Sequence, residues 1–157
     1  MAMAMSKACA EALAGLKARR ISQRRPEALV IGADQMVDCD GIWFDKPADL
    51  AAARTHLQAL RGKTHRLVTA AVVLRGGTPL WHTISQAKLT MRPFSDAFLD
   101  DYLRQAGTAV LSSVGAYQLE GLGAQLFDRV EGDFFTVLGL PLLPLLGFLR
   151  GHGVIRP

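Results

Sequence analysis

Three side chains stand out for the chemistry their surroundings allow. Asp34 follows the short apolar run at residues 28–31 across Gly32-Ala33. That places it just beyond the carboxyl end of a buried strand, where open α/β sheets gather their ligands. A carboxylate there can hold Mg²⁺ or take a proton from an attacking water. An ordinary turn aspartate fits the same position. Lys46 stands in Phe44-Asp45-Lys46-Pro47. Pro47 disfavours the helical region at Lys46, so the segment is extended and stiff. A stiffly held ammonium suits a phosphate, though a surface lysine ahead of a helix reads the same way. Glu120 precedes Gly121-Leu122-Gly123, where glycines let backbone come close to a ligand. This turn lacks the spacing of a dinucleotide fingerprint, and the chain has no P-loop.

Other chemistries lack their residues. His56, His65, His82 and His152 show no metal-ligand spacing, which argues against zinc. Ser112 and Ser113 lack the context of a nucleophile elbow. Cys9 and Cys39 are too few for a disulfide scaffold and suit a reducing compartment. Trp81, Phe98, Tyr102 and Phe127 read as core rather than as a platform for stacked bases.

The elements that must position these residues follow from periodicity and punctuation. Residues 6–20 read as a helix with Ala8, Ala12, Leu13 and Leu16 near one face. Residues 28–31 suit a buried strand that stops at Gly32-Ala33-Asp34-Gln35, and Asp40-Gly41 is a hairpin-like turn. Asp49 is placed to cap a helix over 50–60, with Gly62 beyond its end. Residues 67–74 and 81–91 read as a strand pair around Gly76-Gly77. Ser95 starts a helix through Gln105, with Phe98, Leu99 and Tyr102 inward and Gly107 ending it. Residues 110–114 and 125–130 are strand candidates, and 140–150 an apolar helix with Pro141 in its first turn. Helices mixed with hairpins predict an α/β or α+β fold with a mixed twisted sheet flanked by helices.

The chain has 157 residues, enough for one domain with a real core. Residues 1–26 carry six basic side chains against Glu11 alone, whereas the remainder holds twelve basic and thirteen acidic residues. The body is therefore nearly neutral, which argues against a broad basic face for nucleic acid. No apolar run reaches the ~18 residues of a spanning helix. The Arg-rich, acid-poor start resembles a transit peptide in composition, but a solvated helix explains it as well. A cytoplasmic protein with no membrane or nucleic-acid partner is the expectation.

In order and spacing, several segments together resemble the Maf family. These are Ile31-Gly32-Ala33-Asp34-Gln35, Asp45-Lys46-Pro47-Ala48-Asp49, and Arg61-Gly62-Lys63-Thr64-His65 with Val68-Thr69. Gly115-Ala116-Tyr117-Gln118-Leu119-Glu120-Gly121-Leu122-Gly123-Ala124, then Glu131-Gly132-Asp133 and Gly139-Leu140-Pro141, extend the match. With Ala12-Leu13-Ala14-Gly15-Leu16-Lys17-Ala18 it covers about residues 7–153. The resemblance implies a single two-lobed nucleotide pyrophosphatase domain with a cleft. It implies Mg²⁺-dependent hydrolysis of a nucleoside triphosphate between the α and β phosphates. Asp34 would then be the general base or a metal-linked carboxylate, and Lys17 and Lys46 would contact the phosphates. Gln35 and Glu120 would bear on the base. This pairing resembles the branch acting on 7-methylguanosine triphosphate rather than that for thymidine and uridine triphosphates. A carboxylate favours a base made cationic by N7 methylation, although Glu120 could bind metal instead. A homodimer is compatible with the resemblance.

Departures from the family pattern are equally specific. The opening strand and Ser-x-Ser-x-Arg phosphate loop do not precede Lys17, so the chain reads as N-terminally truncated relative to the family. Ser22-Gln23-Arg24-Arg25 follows the first helix, and the loop's role is not carried over to it. Thr69 is followed by Ala70 where Gly is usual, and Thr136 replaces a common Asn. A nucleotide-binding homologue with impaired catalysis is therefore the alternative to an active pyrophosphatase.

Overall fold

Local chemistry decides where each element starts and stops in the computed structural model, which describes residues 2–157. Helix α1 (Ala2–Ser22) is followed by strands β1 (Val30–Cys39) and β2 (Ile42–Phe44). Asp40 and Gly41 both adopt positive φ, +54° and +84°, which matches the twist of the two strands they join. Helix α2 (Leu50–Leu60) is capped by the Asp49 carboxylate, which accepts the Ala52 N–H at 2.7 Å. Strands β3 (Thr64–Arg75) and β4 (Thr78–Met91) flank the Gly76-Gly77 turn. Helix α3 (Asp96–Ala106) is capped by the Ser95 hydroxyl. Strand β5 (Phe127–Glu131) and helices α4 (Phe134–Leu138) and α5 (Leu142–Gly151) complete the chain.

The five strands form one sheet in the order β2-β1-β3-β4-β5. β1 pairs antiparallel with β2, and β4 pairs antiparallel with β5 across an irregularity at Thr90–Met91. The expected α/β fold with a sheet that is not all parallel is thus present. The chain divides into two compact units. One gathers the residues up to Gln35, Val68–Gln86 and Asp133–Pro157; the other gathers Met36–Leu67 and Ala87–Gly132. In the first, Ala10, Ala14, Ala18, Val68, Val73, Leu74 and Leu145 are buried; in the second, Leu57, Leu60, Leu67, Leu89, Leu99 and Leu126 are.

Four expectations need correction. β1 does not end before Gly32 but runs on to Cys39, so Asp34 lies inside the strand rather than beyond it. Gly32 is there for close packing, because a Cβ would come within 2.4 Å of the Ala14 carbonyl oxygen. The inward face of α1 is Ser6, Ala10, Ala14, Ala18 and Ser22, one residue per turn, while Leu13 and Leu16 face out. Residues 110–114 form no strand: 3-10 turns occupy Gly107–Ser112 and Val114–Ala116. Gly115 and Ala116 have positive φ there, which no strand accommodates, and the Tyr102 hydroxyl donates to the Ala116 carbonyl at 3.1 Å. Finally, Leu122–Leu126 is a 3-10 turn and β5 begins only at Phe127. Helix α4 is an addition, capped by Asp133.

Candidate functional site

Two packing decisions in the first unit bring a lysine to an aspartate. The small residues on the inner face of α1 let the helix lie close over β1 at Gly32. Gly32 and Asp34, two apart on the strand, point to the same side. Lys17, next to Ala18 on the helix, therefore reaches Asp34, and its Nζ pairs with Oδ1. Nζ also lies 3.4 Å from the Ala33 carbonyl oxygen. The Asp34 side chain is only 11% exposed and that of Lys17 60%, so the carboxylate is sheltered while the ammonium fronts solvent. Asp34 Oδ2 is left for water or a cation.

Gln35 points to the opposite side and is tied inward. Its Nε2 donates to Thr69 Oγ1 and to the Thr136 carbonyl, both at 2.9 Å, and lies 3.2 Å from the Val137 carbonyl oxygen. Thr69 Oγ1 in turn donates to the Thr136 carbonyl at 3.0 Å. Thr136 Oγ1 is 3.0 Å from Asp133 Oδ2 and 2.9 Å from Ser85 Oγ. Thr136 Oγ1 thus directs its single proton towards Ser85 Oγ and Asp133 Oδ2, both of which accept. The same Asp133 oxygen takes the Thr136 N–H at 2.7 Å, which starts α4. The amide nitrogen of Gln35 is thus committed to fixing the strand, and only its Oε1 remains to meet a ligand.

Lys46 and Glu120 belong to the second unit. Lys46 is exposed in an extended segment before α2; its N–H donates to Asp45 Oδ1 at 2.7 Å and its ammonium is unpaired. Glu120 is exposed in the turn before Gly121, and its side chain makes no hydrogen bond or ion pair among the described residues. His65 is not a ligand in waiting: it is buried, with Nε2 2.7 Å from the Tyr117 hydroxyl and Nδ1 unpartnered. Burial lowers its pKa to about 4, so it is neutral at pH 7. Among the described residues, no three His, Cys, Asp or Glu side chains gather into a ready-made cation site. Asp34 Oδ2 offers a hard, sheltered oxygen, which fits a divalent cation that brings phosphate and water as its other ligands.

Sequence reasoning missed the knot of Thr69, Ser85, Asp133 and Thr136. The available signal was Asp133 three residues ahead of Thr136, the spacing of a helix cap.

Residues 2–152 match the family model described as Maf-like protein. The chain belongs to the Maf family. Among its Maf relatives is a protein of Paramagnetospirillum magneticum named nucleoside triphosphate pyrophosphatase, 66% identical over 94% of this chain and 76% of the relative. A Rhodospirillum rubrum protein of the same name is 60% identical over 88% of this chain and 69% of its own length. A Rhizobium etli protein named 7-methyl-GTP pyrophosphatase is 54% identical over 91% and 72%. The motifs around Lys17, Asp34 and Gln35 lie within the matched Maf region. No helix among the described residues of this Maf chain is long and apolar enough to cross a membrane.

Proposed function

We propose that this chain is a nucleoside triphosphate pyrophosphatase in which Asp34 and Lys17 form the reacting centre. The observation that carries the reading is the Lys17–Asp34 pair, built by the close approach of α1 to β1 in a Maf chain. Water attacks the α-phosphorus, its proton passes to Asp34 Oδ2, and the α–β bridging bond breaks. The products are nucleoside monophosphate and pyrophosphate. Lys17, already fixed by Asp34 Oδ1, offers its remaining ammonium protons to phosphate oxygens, and Lys46 offers a second cation. A divalent cation, expected to be Mg²⁺, would neutralise charge on the triphosphate; in the alternative role Asp34 Oδ2 would hold that cation instead of taking the proton.

The test is pyrophosphate release with Mg²⁺ across 7-methyl-GTP, GTP, dTTP and UTP. One nucleotide should be favoured, and Asp34→Asn should lower turnover by at least about 100-fold. Nucleotide binding by calorimetry without release from any of them would favour the catalytically impaired homologue. For the base, the exposed and unpaired Glu120 carboxylate supports selection of cationic 7-methylguanine over neutral guanine. Glu120→Gln should then reduce the ratio of 7-methyl-GTP to GTP turnover, and an unchanged ratio removes Glu120 from that role. Loss of turnover on both nucleotides alike, rescued by raised Mg²⁺, would assign Glu120 to the metal instead.

A further inference from the structure

Two buried polar groups in the second unit serve neither the Lys17–Asp34 pair nor the bonds around Gln35. His65 is the second residue of β3, and Tyr117 follows the 3-10 turn at Val114–Ala116. His65 Nε2 lies 2.7 Å from the Tyr117 hydroxyl, and the two residues are 1% and 5% exposed. Burial lowers the pKa of His65 and raises that of Tyr117. Both are therefore neutral at pH 7, and the contact is a hydrogen bond rather than an ion pair. Phe127, the first residue of β5, closes the cluster. Its ring centroid lies 4.8 Å from that of Tyr117, edge to face, and 5.9 Å from that of His65. Both ends of the segment from Tyr117 to Phe127 are thus packed on one histidine.

Between those ends the chain closes tightly on Gln118. Its carbonyl accepts the Gly121 N–H at 3.1 Å, and the Gly121 carbonyl accepts the Ala124 N–H at 3.2 Å. A Cβ on Gly123 would come within 2.4 Å of the Gln118 oxygen and 2.8 Å of its nitrogen, so this turn requires glycine there. Glu120 sits inside the turn with its carboxylate exposed. The turn places Glu120, and Tyr117 places the turn. The Tyr117 ring is itself lodged against Gly115, where a Cβ would lie 2.7 Å from Tyr117 Cε1. A ring needed only to fill the core would be served by phenylalanine, with no hydroxyl to bury. Its histidine partner carries a further cost, because the buried Nδ1 has no partner of its own. We propose that His65 and Tyr117 are positioning residues for base selection, their hydrogen bond fixing the turn that presents Glu120. This rests on the reading of Glu120 as the group that selects the methylated base.

Calorimetric dissociation constants for 7-methyl-GTP and GTP test this without requiring turnover. Tyr117→Phe keeps the ring and removes the hydroxyl. It should reduce the preference for 7-methyl-GTP about three- to tenfold, the net contribution of one hydrogen bond. His65→Leu should do the same, and the double variant no more than either, because one bond is lost in all three. His65→Gln, whose side-chain amide can meet the same hydroxyl, should keep the preference to within about twofold. Val73→Ala opens a cavity in the first unit and is the control for lost stability; it should leave the preference unchanged. The Gly121 and Ala124 amides should lose protection from hydrogen exchange in Tyr117→Phe and His65→Leu but not in Val73→Ala. If Glu120→Gln alters the preference and Tyr117→Phe does not, the positioning role is overturned while the reading of Glu120 stands. If Glu120→Gln leaves the preference unchanged, or neither nucleotide binds, that reading falls and the proposal with it. A preference lost equally in Val73→Ala assigns the effect to stability and also overturns the proposal.

Discussion

Replacing Gly32 by alanine tests whether the closeness of α1 to β1 is what aims Lys17. The added Cβ would lie 2.4 Å from the Ala14 carbonyl oxygen, 2.7 Å from the Ala18 Cβ and 3.1 Å from the Ala18 nitrogen. Carbon atoms rest at about 3.5–4.0 Å from their neighbours, so the helix must withdraw by roughly 1 Å. Two of the three obstacles are backbone atoms, so no rotamer change relieves the clash. The cost therefore falls at the upper end of the usual overpacking range, about 3 kcal/mol. For a chain of this size that lowers the melting temperature by roughly 6–12 °C. The same withdrawal carries Lys17 away from Asp34, and a displacement of about 1 Å at a reacting centre can reduce turnover about 100-fold. Gly147→Ala in α5 is the control, because its Cβ would meet nothing within 4 Å. It should stabilise by about 0.5–1 kcal/mol and leave turnover unchanged. Calorimetric melting and pyrophosphate release read both effects. If Gly32→Ala melts and turns over like the parent chain, the packing argument is wrong. If it melts early but turns over normally, the link from packing to Lys17 is wrong.

Changes at two further residues, His65 in the second unit and Gln35 in the first, probe the groups that hold the fold together. His65 has a folded pKa near 4 against about 6.5 when exposed, so its contribution to stability is complete above pH 6.5 and is lost as pH falls from 6.5 towards 4. That contribution amounts to about 3 kcal/mol; the urea midpoint should drop between pH 7 and pH 5, and His65→Gln should flatten the drop. Gln35→Leu removes the side-chain donor to the Val137 carbonyl and one of the donors to the Thr136 carbonyl, which keeps the Thr69 hydroxyl, and should cost about 1–3 kcal/mol. Gln35→Glu should cost more at pH 7, because a carboxylate would face those two carbonyls, and thermal melting at lower pH should recover part of the difference.

How legible all this was depended on what kind of signal each residue gave. Asp49, Ser95 and the Asp40-Gly41 pair act on their own backbone, and the caps and turn they predict are present. Local signals of that kind survive folding because no distant residue competes with them. Gly32 failed differently. A glycine after an apolar run reads as punctuation, but here it makes room for a helix sixteen or so residues upstream, and only tertiary structure tells the two apart. The inner face of α1 was hidden because serine and alanine contrast little with the polar face, while Leu13 and Leu16 do. Residues 110–114 look β-like in composition, yet the positive φ of Gly115 and Ala116 bends the chain into 3-10 turns.

The placement of Asp34 follows from both sides of β1 being pinned at adjacent positions. On one side α1 rests on Gly32 and delivers Lys17 to Asp34. On the other, the next residue, Gln35, is bound to Thr69 and to the Thr136 and Val137 carbonyls in the last turn of α4, a helix whose first turn is fixed by Asp133. Strand residues alternate in direction, so neither set of bonds can shift without rotating the other residue out of register. An aspartate at a loop end would owe its orientation to a mobile turn; inside a doubly pinned strand it is preorganised before any substrate arrives. Groups that act on a triphosphate gain from this, because orienting them on binding would consume free energy that should favour the transition state. It also explains why Gln35 carries a structural load at a position that family resemblance connects with base choice. Its nitrogen holds the strand, its Oε1 is the only atom left to meet a ligand, and a change at Gln35 should therefore alter stability and turnover together.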